Sequence, residues 1–142
     1  MSDLTTLGAL SARQVSGRIT GRELVEAGAT TAILKFTPPT NCVTTVTVTA
    51  TARDLTNGEG AGYIRSATFK RGTGNVTQVD STTAVATQEW DAAWNLTITA
   101  SATGIHVNAV GSAANDTRWS FVADLVFAPD AEDGDSGGVI LG

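Results

Sequence analysis

Residues 45–52 alternate strictly between hydroxyl and apolar side chains, in the run Thr-Val-Thr-Val-Thr-Ala-Thr-Ala. A period of two places successive side chains on opposite faces of an extended strand, and β-branched valine and threonine favour that conformation. The pattern therefore predicts a half-buried strand whose threonines face water or a neighbouring subunit. Its predicted buried side chains are Val46, Val48, Ala50 and Ala52.

Short segments of the same kind recur along the chain, with polar or glycine-rich turns between them. Such spacing predicts an all-β protein, an antiparallel β-sandwich of jelly-roll-like form with about eight strands. The predicted strands span residues 29–36, 43–52, 61–71, 76–80, 82–87, 94–100, 105–109 and 118–127. The side chains that we expect in the core are Val46, Val48, Phe69, Leu96, Ile98, Ile105, Val107, Trp119, Phe121 and Leu125.

The chain has 142 residues, which makes one domain the default, because domains most often have about 100–150 residues. We predict an N-terminal arm over residues 1–28, a β-sandwich domain over 29–128 and an acidic C-terminal tail over 129–142. Within the arm, Thr20 and Glu23 have the spacing of a capping box, which favours a short helix before Gly28. An irregular arm fits the same residues equally well.

Charge and composition exclude several classes of partner. The net charge of −5 and the pI near 4.6 argue against nucleic acid, which needs a basic footprint. No apolar run approaches the ~18–20 residues that span a bilayer, so we expect no membrane partner. The first residues lack a signal-peptide pattern, so we expect synthesis in the cytoplasm. Cys42 is the single cysteine, which excludes an intrachain disulfide and a cysteine-based metal site.

One segment, residues 134–138, spells the Gly-Asp-Ser-Gly-Gly nucleophile motif of chymotrypsin-like serine proteases. That chemistry needs a histidine base and an aspartate that orients it. The single histidine, His106, falls on the outer face of a predicted strand, and the carboxylates between it and Ser136 all lie within the last 30 residues or so. We therefore predict that Ser136 is inert, and a hydrolase that uses Ser136 is a remote alternative.

Carboxylates give no clearer sign of chemistry. The acidic residues of the tail do not have calcium-loop spacing. The candidates for a carboxylate pair in glycoside hydrolysis fall in predicted turns or at strand ends, where acidic residues are common. They are Asp54, Glu59, Asp80, Glu89 and Asp91. We predict no catalytic site, no metal and no cofactor, and therefore no enzyme.

A few residues of the predicted arm and one tryptophan favour contact with a partner. Arginine makes paired hydrogen bonds to carboxylates, and apolar side chains of an arm gain stability by burial against another chain. Trp90 lies in the turn Glu89-Trp90-Asp91, whereas Trp94 and Trp119 fall on inward faces. The candidate partner-binding residues are Leu7, Leu10, Arg13, Arg18, Arg22 and Trp90.

From about residue 42 to 127 the chain resembles a β module of bacteriophage virion proteins. Such modules share a strand that connects hairpins, a tryptophan-bearing entry strand and a closing strand with a tryptophan near its start. The resembling stretches are Thr47–Thr49, Ala61–Arg71, Trp90–Ile98, Val107–Gly111 and Arg118–Ala123. They consist of packing residues and contain no catalytic signature.

The resemblance implies a structural protein of a phage particle. We expect a non-enzymatic cement or decoration protein that stabilises the capsid shell in the virion. Its expected partners are copies of itself in a homotrimer and the major capsid protein or another virion protein. The alternative is a tail-fibre or receptor-binding module in which Trp90 and nearby loops contact glycans of the host surface.

Overall fold

The computed structural model describes residues 3–7, 16–129 and 140–141, and all regular structure in that part of the chain is β-strand. It contains no helix there that is long and apolar enough to cross a bilayer. The eleven strands are β1 (Asp3–Leu7), β2 (Ser16–Val25), β3 (Thr30–Thr37), β4 (Cys42–Asp54), β5 (Gly60–Arg71), β6 (Val76–Gln78), β7 (Thr83–Glu89), β8 (Asn95–Ser101), β9 (Gly104–Val110), β10 (Thr117–Pro129) and β11 (Ile140–Leu141).

The strands form two sheets, and every pair of neighbouring strands within a sheet is antiparallel. The large sheet has the order β1-β2-β10-β4-β5-β6, with β7 paired to another stretch of β5. The small sheet has the order β11-β3-β9-β8. The predicted all-β antiparallel sandwich is therefore confirmed. The strands outnumber the eight that we predicted because the sheets also contain β2 and the short strands β1 and β11.

The core lies between the two sheets and follows the alternation of the sequence. Every second side chain of β4, β5 and β10 is buried, and the intervening ones lie on the opposite face of the large sheet. The ten side chains that we expected in the core are each no more than 3% exposed, which confirms that prediction. Period-two patterning alone was enough to assign these faces.

The helix predicted for residues 20–28 is wrong, and so is the irregular alternative. Residues 16–25 form β2, which pairs over ten positions with β10. Gly21 lies opposite the bulky Phe121, and Ile19 and Val25 are buried in the core, so pairing with β10 outweighs the local capping pattern. The division into arm, sandwich and tail stays a prediction, although sheet pairing already begins within residues 1–28.

Glycine at position 111 is required by the packing of the large sheet. A Cβ at Gly111 would collide with the side chain of Thr117, which is fully buried and accepts a hydrogen bond of 2.9 Å from the Trp119 indole. We expect Gly111→Ala to lower the free energy of unfolding by about 1–3 kcal/mol, the usual cost of overpacking. Urea denaturation measures this loss.

Gly72→Ala is the matched control, because a Cβ there would meet no atom within 4 Å. Equal stability of the two variants would contradict the packing that we describe around Thr117.

Candidate functional site

Four connections between strands gather at one end of the sandwich, which we call the loop end. Backbone hydrogen bonds join three of them directly: the Gly28 amide donates to Ser112 O (3.0 Å) and the Leu55 amide to Asp116 O (3.0 Å). The Asp116 carboxylate also accepts a bond of 3.0 Å from the Ala27 amide. The connections are residues 26–29, 55–59, 90–94 and 111–116. Loops tied in this way can hold a binding surface in place.

A buried carboxylate fixes two of these loops to each other. Asp54 is 1% exposed, and its Oδ1 accepts bonds from the amides of Thr56 (2.8 Å) and Asn57 (3.1 Å). Its Oδ2 accepts a bond of 3.0 Å from the Asn115 side chain. Burial by itself would raise the pKa of Asp54, but these hydrogen bonds outweigh it, so the pKa lies below its ordinary value. The carboxylate is therefore charged and fully engaged in holding the loops.

The surface of the large sheet that faces away from the small sheet, here the outer face, is rich in hydroxyl groups. The threonines of β4 alternate onto it, and two of them bond across to β5: Thr45 to Thr68 (2.9 Å) and Thr47 to Ser66 (3.3 Å). The predicted threonine-bearing face is therefore present. It is a regular, hydrogen-bonding surface that no part of the described chain covers.

Near the loop end, two outer positions of β5 are glycines and carry no side chain. Gly60 and Gly62 occupy outer positions of β5, and Gly62 lies between Thr51 of β4 and Gln88 of β7. Because glycine has no side chain, the β5 backbone is uncovered at these two positions. The neighbouring strands lie about 5 Å away on each side. We call the surface formed by Thr51, Gly60, Gly62, Gln88 and Trp90 the glycine trough.

Trp90 lies at the loop end of this trough. Its amide donates a bond of 3.3 Å to Gly60 O, and its side chain is 71% exposed. Trp94 and Trp119 are buried, so the prediction that Trp90 is the surface tryptophan is confirmed. Trp90 has the most exposed large apolar side chain of the described residues, and tryptophan is enriched in binding surfaces.

The backbone before Trp90 is held from inside the sandwich. The Tyr63 hydroxyl, whose ring stacks on that of Trp119 at 5.7 Å between centroids, donates a bond of 2.6 Å to the Glu89 carboxylate. Burial, and then the bond to Glu89 and its charge, raise the pKa of Tyr63 well above its ordinary value. The residue next to Trp90 is therefore anchored to the core.

Arg65, whose side chain packs on Tyr63, also holds strand β7, to which Glu89 belongs. Its guanidinium lies 4.8 Å from the centre of the Tyr63 ring and donates to Ala86 O of β7 (2.7 Å). Its Nε donates to Leu96 O of β8 (3.1 Å), which links the large sheet to the small one. This buried cation thus fixes β7, and with it the Gln88 side of the trough, against both sheets.

The other predicted site residues are not brought together at this site. Arg18 forms an ion pair of 2.7 Å with Asp124 of its own chain, rather than being free for a partner. Arg22 is exposed on the outer face opposite Ser120, and Leu7 ends β1. Leu10, Arg13 and Ser136 lie outside the described residues. Their roles in partner binding stay predictions.

The arrangement contains no obvious metal centre in the part of the chain that the structure describes, since no three histidine, cysteine or acidic side chains cluster there. His106 is half-buried on the outer side of the small sheet, opposite Lys35 and Thr99. Sequence reasoning missed Gly60, Gly62 and Gln88. Two glycines spaced by two inside a strand were the available signal, because they remove side chains from one face.

No family model matches the chain, and no curated protein matches it. Among solved structures, it is similar to the tailspike protein gp49 of Acinetobacter baumannii bacteriophage Fri1, a capsular polysaccharide depolymerase, with a TM-score of 0.52 and 14% identity over 98% of this chain and 21% of that one. The tailspike protein of Acinetobacter baumannii phage AM24 has a TM-score of 0.46 and 12% identity over 92% of this chain and 29% of that one. The chain thus spans about a fifth of the first of these proteins, and at this identity the likeness is one of fold.

The comparison agrees in part with the resemblance to phage virion modules, because the fold recurs in a phage tailspike. It also corrects the prediction of a non-enzymatic protein, since the protein that shares the fold is described as a depolymerase. We had excluded an enzyme because no Ser–His–Asp arrangement was visible and because the carboxylates that could pair for glycoside hydrolysis fell in predicted turns or at strand ends. Neither argument excludes an enzyme, since catalytic residues are often carried on loops.

Alkaline pH tests the buried Tyr63–Glu89 bond. The chain has one tyrosine, and its pKa is higher in the folded than in the unfolded state. The unfolded state therefore loses the proton first, and stability falls as the pH rises above about 10, the ordinary pKa of tyrosine. We expect Tyr63→Phe to lower stability by about 1 kcal/mol at pH 7 through loss of the hydrogen bond.

The difference in stability between wild type and Tyr63→Phe should then shrink from pH 10 upward, as followed by urea denaturation. Burial also raises the pKa of the Cys42 thiol, but this affects both proteins equally and cancels in the difference. A difference that does not change with pH would contradict the bond.

Proposed function

We propose that this chain is a module of a phage tailspike or tail-fibre protein that contacts a glycan of the bacterial surface through the glycine trough and Trp90. The observation that carries the proposal is the exposed Trp90 side chain, whose backbone bonds Gly60 next to the Thr51–Gly62–Gln88 row. The proposal places the protein in the virion. Self-association as a trimer and attachment to another virion protein remain part of it.

The chemistry of the trough suits a sugar. The C–H faces of pyranose rings pack on aromatic rings, which carry a large apolar area and a negative π-face. The hydroxyl groups of the sugar need nearby hydrogen-bonding partners, which Gln88 and the threonine rows of the outer face supply. Because the hydrogen bonds through Glu89 and Arg65 anchor β7, little conformational freedom is lost when a ligand binds.

The fold likeness supports the receptor-binding alternative more than attachment to the capsid as a cement protein. The solved structure that is similar over 98% of this chain belongs to a tailspike that acts on a capsular polysaccharide. Nothing comparable supports a cement protein. Since the chain spans 21% of that tailspike, the activity and substrates of a whole tailspike are likewise only proposed for this chain.

Titration calorimetry with oligosaccharide fragments of bacterial capsules, added to the full chain, tests the proposal. We expect Trp90→Ala to weaken binding by roughly 30-fold, or about 2 kcal/mol, which is typical of a central aromatic contact. Val79→Ala is the matched control, because Val79 is also largely exposed, at 57%, but lies in the β6–β7 connection. Equal affinity of the two variants would contradict a role for Trp90.

A second pair of variants tests the trough itself. A Cβ at Gly62 would meet its nearest neighbours at the ordinary contact distance of 4.0 Å, so we expect Gly62→Leu to place its side chain in the trough. We expect it to abolish glycan binding and to unfold at the same temperature as Gly72→Leu, whose site is open. Unchanged glycan binding by folded Gly62→Leu would contradict the site. Binding to purified capsids without binding to any glycan would favour the cement protein instead.

A further inference from the structure

Two arginines stand side by side on the outer face at the loop end. Arg53 of β4 and Arg118 of β10 are directly opposite each other in the register, with Cα atoms about 5 Å apart. Like charges in that position destabilise a sheet. Arg22 of β2 lies diagonally beyond Arg118 and adds a third positive charge, in a chain whose net charge is −5.

Neither guanidinium of the pair has a counter-ion or a hydrogen bond within the described residues. By contrast, Arg18 pairs with Asp124, and Arg71 donates to Pro38 O (2.7 Å) and Gly74 O (2.9 Å). The nearest carboxylates in sequence are both occupied within the loop end: Asp54, next to Arg53, is buried and accepts three hydrogen bonds, and Asp116, two residues before Arg118, accepts the bond from the Ala27 amide. The two charges are therefore available to an external anion.

The surroundings of the pair form a shaped depression rather than a flat surface. Thr51, Ala52, Arg53, Leu55, Arg118 and Ser120 line a hollow of about 280 Å³. The Arg53 guanidinium lies close to the backbone at Gly58, where a Cβ would stand 3.6 Å from its Nη2. The side chains of two arginines, two hydroxyl-bearing residues and the apolar Leu55 thus border the hollow.

This hollow adjoins the glycine trough. Thr51 lines both, and Arg53 lies opposite Gly60 in the register, one strand away. Neighbouring strands are about 5 Å apart, so a sugar ring in the trough lies within one ring's width of the arginines. A saccharide over Gly60 therefore has Trp90 on one side and the arginine pair on the other.

We propose that Arg53 and Arg118 bind the carboxylate of an acidic sugar residue, and that the glycan contacted by this module is therefore an anionic one. The proposal rests on the proposed function for the saccharide nature of the ligand. Planar guanidinium groups match a carboxylate through paired hydrogen bonds, and the hydroxyls of Thr51 and Ser120 complete its coordination. Binding an anion also relieves the repulsion between the two arginines, which makes the site selective for charge.

Two sugars that differ only at the carboxylate test the inference by NMR titration of the full chain. Methyl β-glucuronide carries the carboxylate, and methyl β-glucoside carries a hydroxymethyl group in its place. We expect the glucuronide to bind at least about tenfold more tightly, to shift the Nε–H signals of Arg53 and Arg118, and to weaken as salt is added. The Trp90 indole signal reports binding in the trough.

Charge variants distinguish the effect of the arginine pair on binding from the effect of the protein's overall charge. Arg53→Ala and Arg118→Ala should each reduce the preference for glucuronide over glucoside to nearly one. Lys70→Ala, which removes one positive charge near the other end of β5, should leave the preference unchanged.

The outcomes distinguish this inference from the proposed function. If both sugars shift the Trp90 signal with equal affinity while the arginine signals stay in place, the acidic subsite is wrong and the glycan-binding function stands. If the glucuronide shifts the arginine signals but neither sugar affects Trp90, the anion site stands and the trough does not bind sugar. Signals that do not move with either sugar overturn both.

Discussion

The structure depends on the mutual register of three long strands, β10, β4 and β5. Each is 12 or 13 residues long, and each alternates without interruption between buried and outward positions. A slip of one residue in any of them would move the apolar set to the outer face and the threonines into the core. The burial of the core thus also decides which side chains share the outer face, including those of the candidate site.

A line of contacts through the core connects this register to the site. Trp119 of β10 stacks on Tyr63 of β5, Tyr63 binds Glu89 of β7, and Arg65 binds the β7 backbone. Strand β7 is almost entirely exposed and has few apolar contacts of its own. Its position next to the glycines therefore derives from backbone pairing with β5 together with these polar contacts. The charge of the buried Arg65 is met by carbonyl groups.

Local sequence patterns predicted the parts of the molecule that depend on alternation. They assigned the ten core residues and exposed Trp90, because both follow from position within a strand or turn. They failed for β2, whose inner face includes Gly17 and Gly21 and so lacks an apolar period. Local patterns also could not predict the trough or the arginine pair. Gly62 lies opposite Gln88, and Arg53 opposite Arg118, only because strands distant in sequence pair with each other.

The central claim is that the outer face at the loop end is the surface that meets a bacterial glycan. A crystal structure of the full chain with a bound capsular oligosaccharide tests it most directly. The account predicts a sugar ring packed against Trp90, over Gly60 and Gly62, with an acidic group directed toward Arg53 and Arg118. A ligand bound to the small sheet, with Trp90 left uncontacted, would contradict it.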